Sequence, residues 1–361
     1  MRDYIGFFNS AIAWGGGEKW HFETSVYLHE RGYKVLVFAH SKSVLIKKLK
    51  EKEIPHVAVL ISNLSFLNPL KHIAIQKQLR LKAIHTLVIN LSQDVKIAGF
   101  SAKAIGIKRI IYRRGSAIPI KNTFINRFYF KNIITDVLVN SRATKETVIK
   151  NNPYLFPKEK ISVIYNGINI PTEAIDKKRL TDEKRPTRLL NLGRLEAQKN
   201  QVFLVSLAQE LKKRNLSFEL VIGGEGRLRS VLQKKIDELD VDDVVRLEGF
   251  IEYPIEFLKK GDIFLLPSLW EGFGYVLAEA AVCEMPAIAF DLSSNPELII
   301  NEKTGMLITP KDIKEFANAV EKLCHNTELR KRMGKQAALH VKTHFDKKKN
   351  LQKIEKYLIN E

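Results

Sequence analysis

Seven residues separate Glu271 from Glu279 in the run Pro267-Ser-Leu-Trp-Glu-Gly-Phe-Gly-Tyr-Val-Leu-Ala-Glu-Ala280. An apolar stretch, Asp262-Ile-Phe-Leu-Leu266, precedes it and breaks at Pro267. Gly272 and Gly274 permit a tight turn that exposes helix N–H groups to an anion. The pattern predicts a helix from about Tyr275 to Cys283, with Glu279 in its second turn and Glu271 in the loop before it. Two acids so placed differ in job and do not form an acid–base pair. A loop carboxylate, a Gly-Phe-Gly turn and a helix carboxylate suit a sugar carried on a nucleotide. By spacing alone, a surface helix with two solvated glutamates is the better explanation of the run.

A second group lies in Leu189-Leu-Asn-Leu-Gly-Arg-Leu-Glu-Ala-Gln-Lys-Asn200. Gly193 turns the chain at the carboxyl end of an apolar strand, where open α/β sheets place their ligands. Arg194 offers a forked guanidinium and Lys199 a mobile ammonium, which a diphosphate would accept from two angles. The plain alternative is a pair of exposed loop cations. Ile222-Gly-Gly-Glu-Gly-Arg227 reads chiefly as a tight strand-to-helix turn and not as a dinucleotide fingerprint. Trp14-Gly-Gly-Gly-Glu-Lys-Trp20 sets flexible backbone, Gly16 and Gly17 above all, at a positive helix end; as an ordinary loop it would use Trp14 and Trp20 as packing anchors.

Strand-like and helix-like runs alternate throughout, which implies parallel sheets covered by helices. Strands are expected at 4–8, 34–39, 56–60, 86–90, 109–112, 136–139 and 161–164, with helices such as 19–31 and 42–52 between them. A second set of strands follows at 188–192, 218–222, 244–248, 263–266 and 287–290, and a last helix at 347–359. The polar, proline-bounded stretch Ile170 to Pro186 reads as a linker after a short apolar strand, Tyr165-Asn-Gly-Ile168. At 361 residues the chain suits two domains that each bury a core.

Charge is unevenly placed. Met1 to Ile170 holds 27 Lys and Arg against 10 Asp and Glu, a net +17, whereas Pro171 to Glu361 holds 32 against 30, a net +2. So basic a half is built to meet something anionic: a membrane surface, nucleic acid or an acidic substrate. Two cysteines, Cys283 and Cys324, fit a reducing compartment and no disulfide framework. No metal-ligand cluster stands out. The start lacks a signal-peptide pattern and no apolar run is long enough to cross a bilayer, so the expected location is cytoplasmic, at most peripheral at the inner face of the membrane.

Taken in order, the Asn191–Leu307 motifs, with Glu284-Met-Pro-Ala-Ile-Ala-Phe-Asp291, Asn295-Pro-Glu-Leu-Ile299 and Thr304-Gly-Met-Leu-Ile308 added, resemble the C-terminal half of the retaining glycosyltransferases of family 4. The first half resembles them more loosely. The resemblance implies an α/β GT-B fold, with two Rossmann-like domains facing each other across a deep cleft: a basic acceptor domain at 1–168, a linker at 169–186, a nucleotide-sugar domain at 187–344, and a C-terminal helix, 345–361, crossing back to the first domain. It implies a glycosyltransferase that moves a sugar from a nucleoside diphosphate sugar, UDP-sugar foremost, to an acceptor hydroxyl with retention and without a metal or other cofactor. Arg194 and Lys199 would hold the diphosphate, Glu271 the sugar hydroxyls, and Glu279 the ribose, whose vicinal hydroxyls suit an ionised carboxylate. Backbone at Gly272, Phe273 and Gly274 would meet sugar or phosphate, backbone near Ile251 the base, and the loop of Gly16 and Gly17 the donor phosphate.

Relatives commonly carry a histidine where this chain has Arg113-Arg114-Gly115, which puts a histidine-assisted step in doubt and offers arginine to a phosphate instead. Asp94 is either an acceptor-orienting carboxylate or a helix N-cap. The run Lys121-Asn-Thr-Phe-Ile-Asn-Arg-Phe-Tyr-Phe-Lys131 is either an interfacial membrane segment or a core helix with a basic outer face. The basic half points to an anionic or lipid-linked glycan acceptor in cell-surface glycan synthesis, such as lipopolysaccharide or capsule. Two other classes remain open: a nucleotide-sugar epimerase of the same fold, and a non-catalytic basic module for membrane or nucleic acid.

Overall fold

The computed structural model describes residues 4–171 and 185–359. It divides into two compact units, Met1–Asn166 with Lys348–Glu361, and Gly167–Lys347. The division falls two residues before the expected 168/169 boundary. Most of the expected linker, 172–184, lies outside the described residues.

In the first unit the apolar runs are buried on both faces, as at Val35–His40, which is the condition of a parallel sheet covered by helices on each side. The strands are β1 (Tyr4–Asn9), β2 (Val35–His40), β3 (His56–Val59), β4 (Ile84–Ile89), β5 (Arg109–Arg114), β6 (Asp136–Val139) and β7 (Ile161–Val163). They pair in parallel in the order β3-β2-β1-β4-β5-β6-β7. The order reverses direction between β1 and β4, and it is at the carboxyl ends of strands at such a point that open α/β sheets place their ligands. Trp20 and Leu28 of helix Gly16–Glu30 and Leu45 and Leu49 of helix Val44–Glu51 pack on one face of the sheet. Ile75, Ala102 and Phe130, from three other helices, pack on the other.

The helix Lys347–Ile359 completes the core of this first unit, with Ile354 and Leu358 buried on the same face as Trp20. Glu355 receives Arg31 at 2.7 Å and the Tyr27 hydroxyl at 2.9 Å. Arg109 donates to the Tyr357 carbonyl at 2.7 Å and lies over its ring.

The second unit holds β8 (Thr187–Leu192), β9 (Phe218–Gly223), β10 (Val245–Gly249), β11 (Ile263–Leu266), β12 (Ala287–Phe290) and β13 (Gly305–Ile308). They are parallel, in the order β10-β9-β8-β11-β12-β13. Its reversal lies between β8 and β11. The sequence reading lacked β13, a four-residue run that opens on glycine. It also expected a strand at Tyr165–Ile168, where only Ile168 bridges, to Asp346.

Candidate functional site

In the second unit, the β8 and β11 loops are bound side by side. Gln198 accepts the Leu269 N–H at 2.8 Å through its carbonyl and donates its side-chain amide to the Trp270 carbonyl at 2.8 Å. Asn200, in the left-handed region at φ 53°, donates to the Pro267 carbonyl at 3.2 Å and starts the helix Gln201–Lys213. Between these two ties Lys199 Nζ meets Glu271 Oε1 at 2.6 Å, with the lysine side chain 15% and the glutamate 7% exposed. The aliphatic stem of Lys199 lies along Gly193, where an added Cβ would come within 3.2 Å of it.

Arg194 stands on the same loop with its backbone carbonyl held by Gln201 at 3.1 Å. Its side chain is exposed and makes no ion pair among the described residues. Glu271 is positioned by its own carbonyl, which accepts the Ser294 hydroxyl at 3.2 Å. Gly274 takes φ 79° as the N-cap of helix Tyr275–Val282, a conformation that glycine adopts without strain. Phe273 is buried against Tyr275 and Phe345. Glu279 is half-buried one turn along the helix, as the sequence placed it.

The glycine cluster after β9 makes room for this loop. Gly193 N–H donates to the Gly223 carbonyl at 3.0 Å and Leu195 N–H to the Glu225 carbonyl at 2.9 Å. A Cβ on Gly224 or Gly226 would strike the Gly193 or Leu195 carbonyl at 2.0 and 2.4 Å. Ile251 packs its side chain against Gly223.

In the first unit the loops after β1 and β4 carry a buried polar network. Glu18, in the first turn of helix Gly16–Glu30, accepts Asn9 at 3.1 Å and Asn90 at 3.5 Å. A Cβ on Gly17 would lie 2.6 Å from the Asn90 amide, so Gly17 is needed for close approach, while Gly16 is exposed. The helix end that the sequence offered to a phosphate thus already has a carboxylate in its first turn. Glu18, Asn9 and Asn90 escaped the sequence reading; the signal was Glu18 directly after the three glycines.

Arg113 and Arg114 part company because neighbouring strand residues point to opposite faces. Arg113 is buried at 2% exposure, donates to Asn90 at 3.3 Å and Asn166 at 3.1 Å, and lies 4.9 Å from the Trp20 ring centre. Arg114 turns the other way, to the Tyr112 hydroxyl at 3.4 Å and the Ile118 carbonyl. Of the two, Arg113 is buried and Arg114 is partly exposed.

Asp94 is no helix N-cap; Leu91 holds that position. Asp94 is fully buried and accepts the Ser10 N–H at 3.0 Å and hydroxyl at 2.5 Å, tying the β4 loop to the β1 loop. Burial pushes its carboxyl up to about 7, against the Ser10 hydrogen bonds, which favour the ionised form. A raised folded-state value means that the folded chain holds a proton the unfolded chain releases. Asp94 therefore adds stability at acidic pH and loses that contribution as pH rises through about 4 to about 7. Buried His21, lowered to about 3 chiefly by burial and then by Arg113, acts with the opposite sign. Comparison with Asp94→Asn cancels the histidine. The melting-temperature excess of the parent over the variant should shrink between pH 4 and 7 and be flat above 8; an excess independent of pH would remove the argument.

Two family models together span nearly the whole chain: "Glycosyltransferase Family 4" matches residues 14–171 and "Glycosyl transferases group 1" matches residues 172–340. The chain belongs to the family 4 glycosyltransferases. Among similar proteins is a Campylobacter jejuni enzyme named N-acetylgalactosamine-N,N'-diacetylbacillosaminyl-diphospho-undecaprenol 4-alpha-N-acetylgalactosaminyltransferase, 29% identical over 68% of this chain and 67% of its own length. Another is the Escherichia coli UDP-Gal:alpha-D-GlcNAc-diphosphoundecaprenol alpha-1,3-galactosyltransferase, 28% identical over 73% of each. HepE of Anabaena, solved with UDP and glucose, superposes at a TM-score of 0.83 over 98% of both chains at 19% identity. The glycosyltransferase has the GT-B fold, built on the two parallel sheets described above. No helix among its described residues is long and apolar enough to cross a membrane.

Proposed function

We propose that this glycosyltransferase moves a sugar from a UDP-sugar to a hydroxyl of a lipid-linked diphosphate glycan in cell-surface glycan synthesis, with retention of configuration. The Lys199–Glu271 pair at the β8/β11 reversal carries the reading. It joins a cation suited to a departing diphosphate and a carboxylate suited to sugar hydroxyls in one buried spot, beside the unpaired Arg194. The bond from the anomeric carbon to the diphosphate oxygen breaks as the acceptor oxygen bonds to that carbon from the same face, and the acceptor hydroxyl's proton passes to the departing diphosphate oxygen. Negative charge grows on the diphosphate, where Arg194, Lys199 and the N-terminus of helix Tyr275–Val282 stabilise it without a metal. Glu271 orients the sugar and Glu279 the ribose. UDP as the nucleotide is supported by the HepE complex and by the Escherichia coli relative's UDP-Gal donor; the lipid diphosphate is supported by the acceptors for which both relatives are named.

Melting of the chain with UDP-, GDP- and ADP-sugars tests this first. A ligand at a hundred times its Kd stabilises by about 2.7 kcal/mol, and UDP-sugars should give the largest rise. A larger rise with GDP- or ADP-sugars would replace the base, and no rise with any would sink the donor site. Sugar transfer to a polyprenyl-diphosphate-linked saccharide then tests the acceptor. Consumption of donor with no acceptor present would point to epimerisation instead.

A further inference from the structure

Between Glu53 and Asp136 the chain carries 13 Lys and Arg and a single acid, Asp94. That acid is buried on Ser10 and offers no charge to the surface. Part of this stretch encloses a cavity of about 530 Å³ wholly within the first unit. Its walls include three cations, Lys96, Arg114 and Lys121, and no carboxylate. The rest is largely apolar, with Ile120, Ile125 and Phe130 facing it. The volume is that of an ordinary small-molecule site, roughly 300–1,000 Å³.

Arg114 lines the cavity. Two of its nitrogens are held by Tyr112 and the Ile118 carbonyl, while its buried Nε–H has no hydrogen-bond partner among the described residues. A guanidinium fixed in this way is preorganised for a phosphate oxygen. A free phosphate would leave the apolar walls uncovered, and a neutral lipid would leave three cations unmatched. An anionic amphiphile answers both.

The surroundings indicate where the amphiphile comes from. Ile118 and Phe124, beside the cavity in sequence, are 50% and 83% exposed. The Lys96 ammonium lies over the ring of Phe66, and that segment exposes Leu64, Leu67 and Leu70 to about two-thirds or more. Exposed aliphatic side chains interspersed with lysines are the composition of a surface that rests on an anionic membrane.

We infer that this cavity seats the polyprenyl diphosphate end of a membrane-borne acceptor. Its phosphates lie on Arg114, Lys96 and Lys121, and the first isoprenyl units lie against Ile120, Ile125 and Phe130. Naming the ligand as the acceptor rests on the transfer reading above; the binding chemistry does not.

Calorimetric titration of the full chain with farnesyl diphosphate, farnesol and inorganic pyrophosphate tests it. Farnesyl diphosphate should bind about ten-fold or more tighter than either fragment, since only it meets both walls and cations. Arg114→Gln, Lys121→Gln and Ile125→Asp should each weaken it, Arg114→Gln by about ten-fold or more, with UDP affinity unchanged. Lys121 is exposed and Ile125 46% exposed, so these two variants keep the test independent of folding. Pyrophosphate binding as tightly as farnesyl diphosphate, or parental binding in the variants, would overturn the site. Farnesyl diphosphate lost in the variants, with no transfer to any lipid-linked acceptor, would keep the site and remove the transfer reading. Transfer with an unchanged acceptor KM in Arg114→Gln would do the reverse.

Discussion

Lys199→Met should lower kcat by about 10²–10³, the usual effect of removing one preorganised group that stabilises developing charge. The fall should lie in kcat more than in KM, because the diphosphate gains its extra charge only as the sugar departs. The same change should also destabilise the second unit. It strips the partner from a glutamate only 7% exposed, and breaking a buried pair from one side costs about 3–5 kcal/mol. A double-variant cycle separates the two effects. Lys199→Met with Glu271→Gln removes both charges, so melting should return most of the way to the parent while activity stays lost. Parental kcat in either single variant would sink the assignment of this pair as the reacting centre. Melting of the double variant no higher than that of the singles would show that the pair's stability is not electrostatic.

Gly224→Ala should be severely damaging although it touches no candidate ligand contact. Gly224 has φ 132°, in a region closed to side chains, and a Cβ there would sit 2.0 Å from the Gly193 carbonyl. Neither side can retreat, since Gly224 N–H is bonded to the Gly249 carbonyl at 2.6 Å and Gly193 N–H to the Gly223 carbonyl. Strain and overpacking together should cost roughly 2–4 kcal/mol, a fall of roughly 4–16 °C for a domain of this size. The displaced Gly193 begins the loop that carries Arg194 and Lys199, so UDP affinity should fall as well. Gly106→Ala is the control: its φ is 84° but nothing lies within 4 Å of the added Cβ. It should cost only the backbone strain, about 1–2 kcal/mol, and leave UDP affinity alone. Equal losses in the two variants would mean that loop crowding plays no part.

Much of the second-unit site was legible because its residues announce themselves through local chemistry. Gly274 ends a turn and starts a helix, and the helix begins at Tyr275 as the motif requires. The seven strands expected in the first unit are all present, because continuous apolar runs between turn residues have one way to be buried on both faces. The first-unit loops were less legible for an equally physical reason. Whether a cation on a strand meets ligand or core depends on which face it takes, and a two-residue pair such as Arg113-Arg114 always sends one each way. Asp94 was ambiguous because its partner, Ser10, lies 84 residues away.

The sequence by itself determined the kinds of groups available: carboxylates at Glu271 and Glu279, cations at Arg194 and Lys199, and glycines where backbone must pass close. Their local setting on strands, turns and helix starts follows from short-range sterics and apolar periodicity. Only the tertiary structure decided which of them meet. Lys199 and Glu271 are 72 residues apart and touch because β11 pairs with β8 on the side opposite β9. The order of strands in a sheet is set by crossover packing over the whole domain, and no local run of residues encodes it. The cavity beside Arg114 has the same origin, since its cations and apolar walls come from a loop, a strand end and a helix face that only packing brings together.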